Sequence, residues 1–260
     1  MQNLHAAAVR GSTAGIPLLY PWANRLAGPR YRAAGQEVAL DLSSPLLHLD
    51  EHGLPMHGVP WSCLVWALTD ARPDCVTAQL DWTGDSLLAI FPYPHTLKIT
   101  ATLDKNGLTL GTTLLAALQG SVPVSFGFHP YLGIAELPRA EWQLLLPSMR
   151  RLLLDAHGIP NGETEEFDRF EGKLGDREFD DGFALQDERT SFSLAGREIR
   201  ISVDFLAGYR YAQLFAPKGE DLIALEPMTA PTGALSHGRG LEVVPPGGCF
   251  RAIFRIRVDA

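Results

Sequence analysis

A chain of 260 residues that is 46% hydrophobic has the material for a sizeable core, in one large all-β domain or two smaller ones. Its formal net charge of −8 argues against a nucleic-acid-binding surface, which needs clustered Lys and Arg to displace counterions from phosphates. The cysteines, Cys63, Cys75 and Cys249, are widely spaced and odd in number, which fits a reducing compartment and gives no paired metal or redox spacing.

Residues 1–15 are a weakly patterned lead-in without the basic and apolar regions of a secretory signal. No stretch approaches the roughly 18 consecutive apolar residues of a membrane span, so a cytoplasmic protein with no membrane partner is the expectation. Ile16 to Gly28 holds Asn24-Arg25 in otherwise apolar company. A guanidinium there needs either a carboxylate elsewhere in the fold or a polar ligand, because an unpaired buried charge is costly.

Ser43 to Trp61 is broken by Pro45, Pro55 and Pro60 and reads as a long loop carrying His48, His52 and His57. The three lack the helical spacing or nearby Cys of a zinc site. His57 precedes Gly58, whose missing side chain permits close backbone approach. Trp61 to Leu68 is a short apolar, strand-like run, and Val76 to Trp82 alternates. Thr96 to Leu103 alternates cleanly, with Leu97, Ile99, Ala101 and Leu103 on one face. Asn106-Gly107 then predicts a hairpin closed by a type I′ turn, leading into Leu108 to Leu118.

In Ser121 to Tyr131, Val122, Val124, Phe126 and Phe128 share one parity, and Ser125, Gly127, His129 and Tyr131 the other. Side chains alternate across a strand, so His129 projects from a small, polar face, as the wall of a cleft would. Pro130 biases His129 toward extended backbone, and Pro227 does the same for Glu226. Trp142 to Leu146 and Arg151 to Leu154 are short apolar runs, and Asp155 to Glu166 reads as a turn-rich acidic loop. In Phe179-Asp180-Asp181-Gly182-Phe183 the adjacent carboxylates point to opposite faces if the chain is extended, so at most one enters a site. An acidic turn ending at Gly182 is the alternative.

Glu188 to Phe205 forms a further strand pair, with Ile199, Ile201, Val203 and Phe205 along one face. Leu222 to Met228 puts Glu226 on the parity of Leu222, Ala224 and Met228. A carboxylate on an apolar face is partly desolvated, which raises its pKa and suits it to act as a base near neutrality. Cys249 to Val258 alternates, with Phe250, Ala252, Phe254 and Ile256 inward and Arg251, Arg255 and Arg257 outward. There is no long amphipathic helix, internal repeat or low-complexity linker, so the chain reads as one all-β domain of two packed sheets, residues 1–260. The familiar serine-elbow and phosphate-loop motifs are absent, which leaves acid–base chemistry on a small polar molecule.

Six blocks carry a resemblance. Leu19-Tyr20-Pro21-Trp22-Ala23-Asn24-Arg25-Leu26, His57-Gly58, Gly127-Phe128-His129-Pro130-Tyr131, Gly158-Ile159-Pro160-Asn161-Gly162-Glu163, Phe179-Asp180 and Leu225-Glu226-Pro227-Met228-Thr229 occur in this order. Together they resemble the aldose 1-epimerase (galactose mutarotase-like) family from about residue 16 to the C-terminus. The resemblance implies a large antiparallel β-sandwich with an aldohexose bound in an open cleft on one sheet. It implies Glu226 as the general base on the sugar's C1 hydroxyl and His129 as the general acid to the ring oxygen. It implies Arg25, His57 and Asp180, with Asn24 beside Arg25, as sugar-binding residues. No metal or organic cofactor is implied, and a monomer or homodimer is expected. Relatives usually open with a pair of strands before the Pro-Trp-Ala-Asn-Arg block, so the first hairpin is expected to be shortened or missing. Rival readings are a hexose-6-phosphate 1-epimerase using Arg30 and Arg32 for the phosphate, a sugar-binding protein without turnover, and a glycoside hydrolase pairing Glu226 with Asp180.

Overall fold

A computed structural model of the chain describes residues 15–259. The expectation of a weakly patterned lead-in and a shortened first hairpin therefore lies outside the described residues, apart from Gly15, whose carbonyl accepts the Tyr131 N–H at 3.0 Å.

Alternating apolar sequence builds two large antiparallel sheets. One has eight strands, in the order Leu18–Leu19, Gly127–Phe128, Ile223–Met228, Tyr211–Ala216, Phe179–Leu185, Met149–Leu154 and Pro160–Phe167, with Tyr131–Leu132 also pairing on Ile223–Met228. The other has nine, in the order Phe170–Lys173, Gln143–Leu146, Thr190–Gly196, Ile199–Ala207, Cys249–Asp259, Gly107–Ala116, His95–Asp104, Cys75–Trp82 and Ala67–Arg72. The inward rows of the two sheets meet. Phe128 of the first lies 5.1 Å, centroid to centroid, from Phe254 of the second, and Phe183, Leu214, Leu225, Phe192, Phe205 and Leu97 are fully buried around them. This is the sandwich that the alternation and the resemblance predict, and its apolar burial is the main stabilising term.

Among the described residues the α-helices are short, Asp85–Ile90 and Ala234–His237, and none is long and apolar enough to cross a membrane.

Three local expectations need correction. Trp61 to Leu68 is not one strand: Trp61–Cys63 is a 3₁₀ turn and pairing starts at Ala67, and of the run only Leu64 is buried, so it has no apolar row packed on the core. The hairpin at Asn106-Gly107 is present, but Asp104 pairs with Gly107 and the turn is Lys105-Asn106. None of Lys105, Asn106 and Gly107 has positive φ, and Asp104 Oδ1 accepts the Asn106 N–H at 2.8 Å. Gly107 is needed for a different reason, because a Cβ there would sit 2.1 Å from the Ile256 carbonyl oxygen. The acidic stretch Asp155 to Glu166 turns only as far as Ile159 and then becomes the edge strand Pro160–Phe167. Its charges fit a strand because Glu165 and Glu166 stand directly opposite Arg151 and Arg150 and pair with them.

Candidate active site

The two X-Pro blocks are cross-strand neighbours. Gly127 pairs with Met228 and Tyr131 with Ala224, a shared register that sets His129 opposite Glu226. On the other side of the same strand Gln213 pairs with Glu226. Phe128 and Leu225 point into the sandwich, so His129 and Glu226 point out through the opposite face. Gly127 lets these strands close, since a Cβ on it would fall 2.1 Å from Met228 Sδ and 2.9 Å from the Pro227 carbonyl oxygen.

That face is not open to water at the pair itself. Leu19, Ala23 and Met228 form a small apolar cluster beside it, and Glu226 is 1% exposed. His129 Nε2 lies 3.3 Å from Glu226 Oε1, while His129 Nδ1 and Glu226 Oε2 are buried without a hydrogen-bond partner. Burial, with the nearby Asp180 carboxylate adding to it, pushes the Glu226 carboxyl well above its ordinary range. Burial lowers His129 to about 4. Both effects favour the uncharged forms, so the pair holds one proton between the two titrations. Tyr131 lies against the His129 ring at 4.3 Å and Phe215 stands edge-on at 5.8 Å, which fixes the imidazole's orientation.

Above the pair opens a cleft of about 520 Å³, within the roughly 300–1,000 Å³ of ordinary small-molecule sites. His129, Glu226, Asn24, Arg25, His57 and Asp180 all line it, so the structure brings all six sequence-selected residues together. His57 sits at φ 62 and Gly58 at φ 68, a left-handed pair that packs the backbone against Tyr20. Asn24, itself at φ 54, donates its N–H to His57 Nδ1 at 3.3 Å and accepts the His57 N–H at 2.9 Å. That bond leaves the proton on His57 Nε2, which can then donate to a ligand. Burial, and then His129 nearby, lowers His57 to about 3, so it acts as a neutral donor.

Arg25 has the carboxylate partners that one reading of its sequence requires. Its Nε donates to Asp50 Oδ2 at 2.6 Å and its Nη2 to Glu51 Oε1 at 3.3 Å, and it still lines the cleft. Of the adjacent acids, Asp180 faces the cleft and accepts from Gln213 Nε2 at 2.8 Å, while Asp181 turns the other way, 3.4 Å from Arg151 Nε. Both belong to the strand Phe179–Leu185, which excludes the acidic-turn alternative. Arg30 and Arg32 are exposed on the hairpin Arg30–Ala33/Gln36–Ala39 and are not part of the cleft lining, where Arg25 is the one Arg or Lys among the described residues.

The sequence reading missed Gln213, Phe215 and Trp61, which also line the cleft. Gln213 was open to detection, since Tyr211, Gln213 and Phe215 share the parity of a strand facing out from the core. Among the described residues no group of three or more His, Cys, Asp or Glu could hold a metal ion.

Residues 6–257 match the aldose 1-epimerase family. Uncharacterized protein YihR of Escherichia coli K12 is 26% identical over 255 residues, which cover 92% of this chain and 77% of that protein. Two solved structures are similar in fold. A galactose mutarotase-like protein from Clostridium acetobutylicum has TM-score 0.84 at 14% identity, with 99% of this chain and 82% of that one covered. The Slr1438 protein of Synechocystis sp. PCC 6803 has TM-score 0.76 at 24% identity, covering 95% and 79%. With the family matched over nearly the whole sequence and its fold reproduced in two antiparallel sheets, the chain belongs to the aldose 1-epimerase family.

Proposed function

We propose that the protein interconverts the α and β anomers of a free aldohexose without a cofactor, by acid–base opening and reclosure of the pyranose ring. The observation that carries this reading is the cross-strand placement of His129 and Glu226, 3.3 Å apart at the floor of a sugar-sized cleft. Glu226 takes the C1 hydroxyl proton while His129 delivers one to the ring oxygen. The C1–O5 bond breaks, the aldehyde rotates about C1–C2, and the reverse transfers close the ring on the other face.

This division of labour sets a condition on the pair, because burial favours its uncharged arrangement, with the proton on Glu226. The productive pair is a Glu226 carboxylate beside a His129 imidazolium, the charged arrangement of the single shared proton. Moving the shared proton from Glu226 to His129 reaches it, and ring opening then returns both groups to the uncharged forms that burial favours, regaining that cost. Arg25, Asn24, His57, Asp180 and Gln213 supply polar atoms around the cleft for the sugar hydroxyls.

The pH profile should follow the pair. Activity falls on the acid side as His129 gains the second proton, and on the alkaline side as the shared proton leaves at the raised Glu226 value. Asp180→Asn removes a negative neighbour that raises Glu226, so the alkaline limb of kcat/KM should move to lower pH. An unmoved limb would show that Asp180 does not act on the pair.

Polarimetry on freshly dissolved α-D-glucose, α-D-galactose and α-D-glucose 6-phosphate tests the substrate assignment. With Arg25 the one Arg or Lys of the lining among the described residues, and already carboxylate-paired, the free sugars should exceed the phosphate in kcat/KM by about tenfold or more. Preference for the phosphate would reverse the assignment.

A further inference from the structure

The chain has no repeat on the scale of a structural unit, but one six-residue pattern occurs twice, as Asp50-Glu51-His52-Gly53-Leu54-Pro55 and as Asp155-Ala156-His157-Gly158-Ile159-Pro160. The two copies fold alike. Asp50 Oδ1 accepts the N–H of His52 at 2.9 Å and of Leu54 at 2.8 Å, and Asp155 Oδ1 accepts those of His157 at 2.8 Å and Ile159 at 3.0 Å. Asp50 N–H closes onto the Leu54 carbonyl at 3.0 Å, and Asp155 N–H onto that of Ile159 at 2.8 Å. Gly53 and Gly158 take the same left-handed conformation, φ 72 and φ 74. Though distant in sequence, the loops meet: the His52 and His157 rings stand edge to face, 5.7 Å apart at 86°.

Arg25 passes between them. Asp50, with its side chain fully shielded from solvent, uses its second oxygen for the Arg25 Nε bond. On the other side Arg25 Nη1 comes within 3.4 Å of where a Gly158 Cβ would stand, so the second loop approaches the guanidinium through a bare Cα. Glu51 is 68% exposed and adds little. Arg25 and Asn24 form part of the wall between the cleft and a side chamber of about 40 Å³, which Gly158 and Pro160 also line. A free arginine stem samples many rotamers, and holding it in place removes that cost from ligand binding.

We infer that the twin loops are a clamp that positions Arg25 for the sugar, with Asp50, His52 and His157 as positioning residues. The consequence for turnover rests on the epimerase reading, whereas the clamp itself does not. Arg25 would touch a hydroxyl that does not react, so its contact is made equally in the ground and transition states. Loosening it raises KM and leaves kcat nearly unchanged.

Two readouts on the full-length chain test this. The first is the ¹H–¹⁵N resonance of Arg25 Nε–Hε, assigned by its loss in Arg25→Lys. It should persist in the wild type, be lost by exchange in Asp50→Asn and His157→Ala, and return in His157→Phe, which keeps the ring contact. The second is KM for galactose, which should rise about three- to tenfold in Asp50→Asn and His157→Ala with kcat within twofold, and recover in His157→Phe. An unchanged resonance and KM in the first two variants would overturn the inference, and so would a loss that His157→Phe fails to restore. If the wild type turns over no sugar, the epimerase reading falls and the Nε–Hε resonance alone decides the clamp.

Discussion

Glu226→Gln should lower kcat/KM for anomer interconversion by about 10²- to 10⁴-fold, the range a positioned acid or base typically contributes. Gln is nearly isosteric, so the cleft and its ligand contacts survive while the proton acceptor is lost. The same change should stabilise the fold at neutral pH. Burial raises Glu226 above its unfolded value. Stability from this group is therefore complete below the unfolded carboxyl pKa of about 4.3 and is lost as pH rises toward the folded value. Gln carries no such penalty. Thermal unfolding should show a higher Tm for Glu226→Gln at pH 7.5, with the difference closing near pH 4. A variant that loses activity and is also less stable at pH 7.5 would point to a structural role for Glu226.

Gly58→Ala should be among the most damaging single substitutions in the chain. Gly58 has φ 68, and its Cβ would stand 2.1 Å from the Tyr20 carbonyl oxygen, 2.4 Å from its carbon and 2.7 Å from Pro21 N. All three atoms are backbone, so no rotamer change relieves the clash. The strand-like contact would open, breaking the Val59 N–H to Tyr20 bond of 2.8 Å and displacing His57 from Asn24. A loss of about 3–5 kcal/mol is expected, a large fraction of the stability of an ordinary domain. Gly53→Ala is the control: its φ of 72 is similar, but nothing lies within 4 Å of the added Cβ. It should cost about 1–2 kcal/mol, from backbone strain alone. Urea midpoints compare the two, and equal losses would mean the clash is relieved elsewhere.

The parts of the fold that were legible in sequence are those with one buried face. Alternation located His95–Asp104, Ile199–Ala207 and Cys249–Asp259 because each presents one row to the core, as Leu97, Val203, Phe205 and Phe254 do. Pro160–Phe167 escaped because it is an edge strand whose pairing is supported by Arg–Glu neighbours rather than by an apolar row. Within the site, parity gave the direction of His129 and Glu226 but not their register, which depends on strands far apart in the chain. The period-two rule likewise separated Asp180 from Asp181, yet only the fold shows which of them has Gln213 as neighbour and which has Arg151. The pattern shared with Asp155 marks Asp50 as the anchor of its loop, but its pairing with Arg25 is set by tertiary packing.

The most direct test of the acid–base account is two-dimensional exchange NMR on galactose at anomeric equilibrium, with wild type, Glu226→Gln and His129→Ala at equal concentration. Exchange cross-peaks between the α and β anomeric protons should grow in proportion to wild-type protein and fall to the uncatalysed level with either variant. Exchange at the wild-type rate in Glu226→Gln would contradict the assignment of the carboxylate that opens the ring.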